Sequence, residues 1–376
     1  MKEKIFYDLK PFTRIWVKDC YHMSILPGIF FVKGNVDCLL FNQYFKYSIE
    51  NDVITYKSIN IKNVYELLKD NGIDIQPILE VKNIHNFIKN ELNNGNVIIM
   101  GIDSYFETLR NDYYQKRHSG HSVLICGINE EEKIYKIIEQ PFFFSLNYQI
   151  YDISFNEIKK GYESFLNEKQ TSNFFYNILP DILRVNGEIP SVCLINIKGR
   201  ENLKEDISIR NRYIKNLQNN IGEIIQALES ILEFRNKLKE IYISCIEKYK
   251  ENEIIILKLN ELINNKLMEQ YLFELLFRGE DNKYEIFNLI IKKWSKIRMI
   301  FSKRIYSNRY IESQIVKGMS LLTEIYDLEK NMVYRRINNG KVQFTVSSGL
   351  HSVLERPFSE ANGHPFFVKK SLLSVC

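Results

Sequence analysis

Turn-forming residues are scarce in this sequence. Sixteen glycines and eight prolines stand among 376 residues, about half the usual share of roughly 12%. A chain so poor in breakers does not read as an all-β sandwich, a collagen-like repeat or a disordered linker. Paired cysteines are missing as well. Cys20, Cys38, Cys126, Cys193, Cys245 and Cys376 are spread thinly with no CxxC, the pattern of reduced thiols in a cytosol. No apolar run approaches the ~18 residues of a membrane span, and Pro27 interrupts one of the longest, residues 24–32. The N-terminus alternates charge with apolar residues where a signal peptide has an apolar core. These absences predict a cytoplasmic protein with no membrane segment. Phosphate-loop and dinucleotide glycine motifs, the Gly-x-Ser-x-Gly elbow and the strong zinc spacings are absent, so no metal or resident cofactor is expected.

What is present can fill a large core. Hydrophobic residues make up 45% of the chain and charged residues 26%, with 24 Phe and 23 Tyr, so length and composition suit two domains. The net charge of +5 hides an asymmetry: residues 1–200 carry 23 basic and 24 acidic side chains, and residues 201–376 carry 28 and 22. The halves differ in texture too. In the first, β-branched runs at 52–59, 96–102, 121–128, 133–140, 148–154 and 191–197 read as strands. Segments 63–72 and 83–95 read as helices, the second with Asn83 as N-cap and Gly95 as terminator. The strands 121–128 and 133–140, joined by the polar turn 129–132, form a predicted antiparallel hairpin. Helices mixed with hairpin-linked strands point to α+β. After Gly199, apolar residues recur at Leu217, Ile221, Ile224, Leu228, Ile231, Leu238 and Ile241, the period of amphipathic helices. We therefore divide the chain into 1–199, a helical domain 200–340, and a tail 341–376 that lacks Ile and Tyr altogether.

The candidate nucleophile is Cys20, which Asp19 would place in the first turn of a helix that Pro27 or Gly28 interrupts. There the helix dipole favours a thiolate. His22 is two residues away and so points elsewhere on a helix; it reads as a packing or site-lining residue. The candidate base is His121, which opens a strand after Gly120. A cysteine nucleophile needs an imidazole, and the imidazole needs an acceptor to fix its tautomer. The predicted hairpin supplies Glu139 or Gln140 opposite His121, a one-residue change of register deciding between them. Asp103 and Tyr105, at the end of the strand before the histidine segment, are candidate lining residues.

The order of these pieces resembles a known family. Cys20-x-x-x-Ser24, then Ile102-Asp103-Ser104-Tyr105, a Tyr-rich linker over 111–118, Gly120-His121-Ser122-Val123 and Gly127-Ile128-Asn129 are similar to the N-terminal domain of the butirosin biosynthesis protein H family. Those domains are relatives of papain-like and bacteriocin-processing cysteine peptidases, and similar ones occur in the amide-forming enzyme of closthioamide assembly. The resemblance covers roughly residues 10–195. It implies a papain-like domain with an antiparallel sheet, followed by an all-α domain, and a Cys-His-Asp triad whose acid position reads Glu139-Gln140 here. It further implies an acyltransferase or amide synthase of natural-product biosynthesis. An acyl group would pass from the phosphopantetheine thioester of an acyl or peptidyl carrier protein to Cys20, and then to a small amine. The rival readings are a cysteine peptidase that trims a small peptide or leader, and a non-catalytic helical scaffold. Lys292, Lys293, Lys296, Arg298, Lys303, Arg304 and Arg309 form an uninterrupted basic stretch that could steer an acidic carrier protein. No nucleic-acid motif accompanies it.

Overall fold

The structure, a computed structural model, describes residues 4–6, 8–11, 20–34, 37–139, 148–168, 188–196, 207–245, 249–276 and 285–339. It is a mixed helix-and-sheet fold with an antiparallel sheet and a helical C-terminal region. The elements run β1 (Lys4–Ile5), α1 (Cys20–Lys33), α2 (Asp37–Leu40), β2 (Gln43–Glu50), β3 (Val53–Asn60), α3 (Val64–Asp70), β4 (Ile75–Ile78), α4 (Ile84–Asn93), β5 (Val97–Asp103), β6 (Gly120–Asn129), β7 (Ile134–Glu139), β8 (Gln149–Ser154), α5 (Phe155–Glu168) and β9 (Val192–Ile195). Six helices follow: α6 (Ile207–Asn219), α7 (Ile221–Ala227), α8 (Glu229–Ser244), α9 (Tyr249–Leu276), α10 (Glu285–Ser307) and α11 (Glu312–Asn339). The tail 341–376 lies outside the described residues, and among these no helix is long and apolar enough to cross a membrane.

The main sheet has the order β4-β9-β5-β6-β7-β8, with β1 paired to the far end of β6. Its two faces bury different sets of side chains. Ile98, Met100 and Ile102 of β5, with Val123 and Ile125 of β6, pack under Ile84, Ile88 and Leu92 of α4 and Ile158 and Tyr162 of α5. Val97, Ile99 and Leu124 face the other way, onto Ile25, Leu26 and Ile29 of α1. Period-two alternation divides these residues between the two faces. Asn83 caps α4 as expected, accepting from the backbone N–H of Asn86 at 3.1 Å, and Gly95 ends it at φ +81°, a conformation glycine adopts without strain.

Two sequence expectations need correcting. The first helix does not stop at Pro27; α1 runs through it to Lys33. An internal proline costs about 3 kcal/mol, but Ile25, Leu26 and Ile29 are fully buried on either side of it. Gly28 also seats the helix directly on the sheet, since a Cβ there would lie 2.7 Å from Ile195 Cδ1. Second, the boundary at 199/200 does not divide the packing. One apolar cluster runs from Ile29, Val97 and Ile195 through Phe45 and Tyr56 to Leu259, Trp294 and Leu322. The bridge is the hairpin of β2 and β3, whose strands pair from Gln43↔Asn60 to Glu50↔Val53 around Asn51 and Asp52, both at positive φ. That turn matches strand twist. The hairpin packs on α7, α8 and α9, so residues 43–60 belong with the helical half.

The central strand β5 is buried throughout. At Gly101 an added Cβ would stand 2.3 Å from Cζ of Phe165, a ring that is itself fully buried. Gly101→Ala is therefore expected to cost about 1–3 kcal/mol through overpacking, read as a lower urea midpoint. A paired Phe165→Leu change should recover part of it.

Candidate functional site

The site begins with the predicted hairpin. β6 and β7 pair through Leu124↔Ile138 and Ile125↔Ile137, so His121 and Glu139 lie on one face, that of Val123, Ile125 and Ile137. His121 Nε2 stands 2.5 Å from Glu139 Oε2, and both side chains are almost fully buried. Of the two acceptors the sequence left open, Glu139 makes the contact; Gln140 lies outside the described residues. With a carboxylate as acceptor, Nε2 carries the proton and Nδ1 is the basic nitrogen.

Two further residues enter this cluster that the sequence reading did not single out. Between β5 and β6, residues 104–117 wind in successive turns: Glu107 N donates to Ser104 O, Arg110 N to Glu107 O and Tyr113 N to Arg110 O. Every third residue therefore turns inward, and Glu107, Arg110 and Tyr113 are buried. Arg110 Nη1 lies 3.7 Å from Glu139 Oε1, and its Nε lies 3.1 Å from Asp112 Oδ1. Burial works against the guanidinium charge, but the hydrogen bond to Asp112 and the fields of Glu139 and Glu107 more than offset it. Glu107 is the anomaly. It is 1% exposed, and neither carboxylate oxygen has a hydrogen-bond partner among the described residues. Burial, reinforced by the charge of Glu139, pushes its carboxyl up to about 8. The three-residue repeat Ser104-x-x-Glu107-x-x-Arg110-x-x-Tyr113 is the signal that could have placed it.

Asp103 sits differently from the lining role expected of it. It is fully buried, and its carboxylate accepts from the N–H groups of Tyr105 and Ser119, from Ser164 Oγ and from His118 Nδ1 at 2.6 Å. Four donors exhaust a carboxylate's capacity, so Asp103 holds the start and end of the 104–119 segment together. Tyr105 is half-buried and stacks on His118 with ring centroids 4.3 Å apart; His118 itself is half exposed.

Cys20 is the first described residue of α1. Its side chain and that of His22 lie outside the described residues, as does Asp19. The packing of α1 bears on the geometry, because its buried residues cover the sheet face opposite His121. Three other cysteines are poor nucleophiles: Cys126, Cys193 and Cys245 are buried free thiols, and burial pushes Cys126 and Cys193 up to about 12. The basic stretch of α10 is partly consumed internally. Arg304 is buried and donates to Tyr242 O, Lys293 pairs with Glu324, and Arg298 donates to Asn260.

No family model and no curated protein matches the chain in sequence.

Proposed function

We propose that the chain is a cysteine-dependent acyltransferase that forms amides, with Cys20 as nucleophile, His121 as base and Glu139 as the acid that orients it. The observation that supports this reading most is the buried His121–Glu139 pair, 2.5 Å apart, on the hairpin where the resemblance calls for a histidine and an acid. The carboxylate keeps the proton on Nε2, so Nδ1 can take the thiol proton and stabilise the resulting ion pair. Cys20 thiolate attacks the carbonyl carbon of a carrier-protein thioester, and the backbone N–H groups at the start of α1 face the developing oxyanion. The carrier's thiolate leaves and takes the proton from His121. An amine then attacks the Cys20 thioester and gives its proton to His121, which returns it to the Cys20 sulfur as the amide departs. Lys292, Lys303 and Arg309 are exposed on and just beyond α10 and offer an acidic carrier a weak electrostatic approach.

The test is intact-mass spectrometry of the full chain after incubation with acyl-phosphopantetheine thioesters of varied acyl groups. A mass gain that peptide mapping places on residues 18–33 supports the reading. No adduct over a broad set of acyl groups, or an adduct on another cysteine, overturns it.

A further inference from the structure

We propose that Glu107, His121 and Glu139 form a binding site for one divalent transition-metal ion, of the zinc or manganese class. Donor atoms of the three residues lie within 4.8 Å of one another, and all three residues are buried. Donors sharing one ion at bonds of roughly 2.0–2.2 Å stand about 3–4 Å apart, so small side-chain adjustments close the set. One imidazole nitrogen with two carboxylates suits zinc, manganese or ferrous iron better than calcium or magnesium, which favour all-oxygen shells.

Glu107 is the independent observation behind the site. A buried carboxylate without a donor is costly, and this one is aimed into a cluster whose other members are an imidazole and a second carboxylate. Metal binding would displace the Glu107 proton; with that proton gone, Glu107, Glu139 and Asp112 outweigh the neighbouring Arg110 by two charges, which one divalent cation balances. The three ligands come from the 104–118 segment, β6 and β7, so the ion would clamp that segment to the sheet. It would also occupy the Nε2 side of His121 and leave the proton on Nδ1, which then cannot accept one from a thiol. Metal binding and the acyl-transfer role proposed above therefore exclude each other, and the cation acts as an off-switch.

The experiment uses the full chain, stripped with chelator, dialysed, and titrated separately with Zn²⁺, Mn²⁺ and Mg²⁺ without any acyl donor. Calorimetry, together with the metal content after gel filtration, gives the binding. The expected result is one equivalent of Zn²⁺ or Mn²⁺, no retention of Mg²⁺, a rise in melting temperature on binding, and affinity at least about 10-fold weaker in Glu107→Gln. Glu107→Gln is nearly isosteric, and its far-UV circular dichroism checks folding; His121→Asn is the second variant, expected to lose the same site. Failure of the wild-type chain to retain either ion overturns the proposal, as does equal retention by Glu107→Gln and His121→Asn. A chain that binds the ion but never forms an acyl-enzyme keeps this site and loses only the acyl-transfer reading.

Discussion

Lys266→Ala is expected to destabilise the protein by about 3–5 kcal/mol, the largest loss of stability from a single charge we anticipate. Lys266 is fully buried. Its ammonium lies 2.9 Å from Glu269 Oε2 and 2.6 Å from Glu329 Oε1, and 3.8 Å above the ring of Tyr56. Tyr56 donates to Glu269 at 2.7 Å, Tyr47 donates to Glu329 at 2.5 Å, and Trp294 Nε1 donates to Tyr47 at 3.1 Å. Strands β2 and β3 are thereby tied to α9, α10 and α11 through one network. Removing this cation leaves two carboxylates close together in a buried core, where an unpaired charge costs far more than a surface pair gains. The control is Lys159→Ala, whose partner Glu163 lies 3.8 Å away with both side chains more than half exposed; it should change stability by less than about 0.5 kcal/mol. Urea midpoints for the two variants check the contrast. A loss under 1 kcal/mol at Lys266 would mean that apolar packing alone holds the hairpin.

That network also marks a limit of reading from sequence. The helices of the second half announce themselves through a 3.6-residue period, and α4 through its asparagine cap and terminal glycine. Yet Lys266 and Glu269 look like any solvated i,i+3 pair until β2 and β3 cover them. The hairpin itself was only half legible. Val53–Asn60 is a β-branched run, whereas Gln43–Glu50 alternates aromatic with polar residues and finds its partners in helices some 180 residues later. Long-range cover of this kind leaves no local trace. The same reason explains Pro27, whose breaking tendency is overridden by the sheet that α1 sits on, and Arg304, which turns inward from a stretch that reads as a basic face. At the candidate site the outcome is mixed. The hairpin pointed to Glu139 near His121, but a bulge between Ile125 and Gly127 shifts the register, and Glu139 stands two residues short of the position opposite His121 and reaches it diagonally. Glu107 and Arg110 stayed hidden in a segment that reads as a linker, since a chain of turns has no apolar stripe. Asp103 was noticed for its position, but its four donors come from three separate stretches of chain.

The two faces of the sheet give the site a division that neither half of the chain shows alone. His121 and Glu139 lie on the face under α4 and α5, which is an apolar core of its own, whereas the face under α1 joins the continuous core that reaches the helical half.

Glu139→Gln tests the buried His121–Glu139 pair directly. The amide fits the carboxylate's place and can still accept through its oxygen, but it brings no negative charge to an imidazolium. General acid–base catalysis of this kind contributes roughly 10²–10⁴-fold, and we expect Glu139→Gln to slow acylation of Cys20 by that range. Arg110 keeps its two hydrogen bonds to Asp112, at 3.1 and 3.2 Å, so the guanidinium is not left bare and stability should fall by no more than about 1–2 kcal/mol. The decisive measurement is the single-turnover acylation rate, followed by mass, for Glu139→Gln beside Glu139→Asp. Partial recovery in Glu139→Asp is expected, since it restores a carboxylate acceptor. An equal drop in both variants would make Glu139 a packing residue. An unchanged rate would remove the charge of Glu139 from the reaction, because the amide oxygen still accepts from Nε2 and holds His121 in the same tautomer.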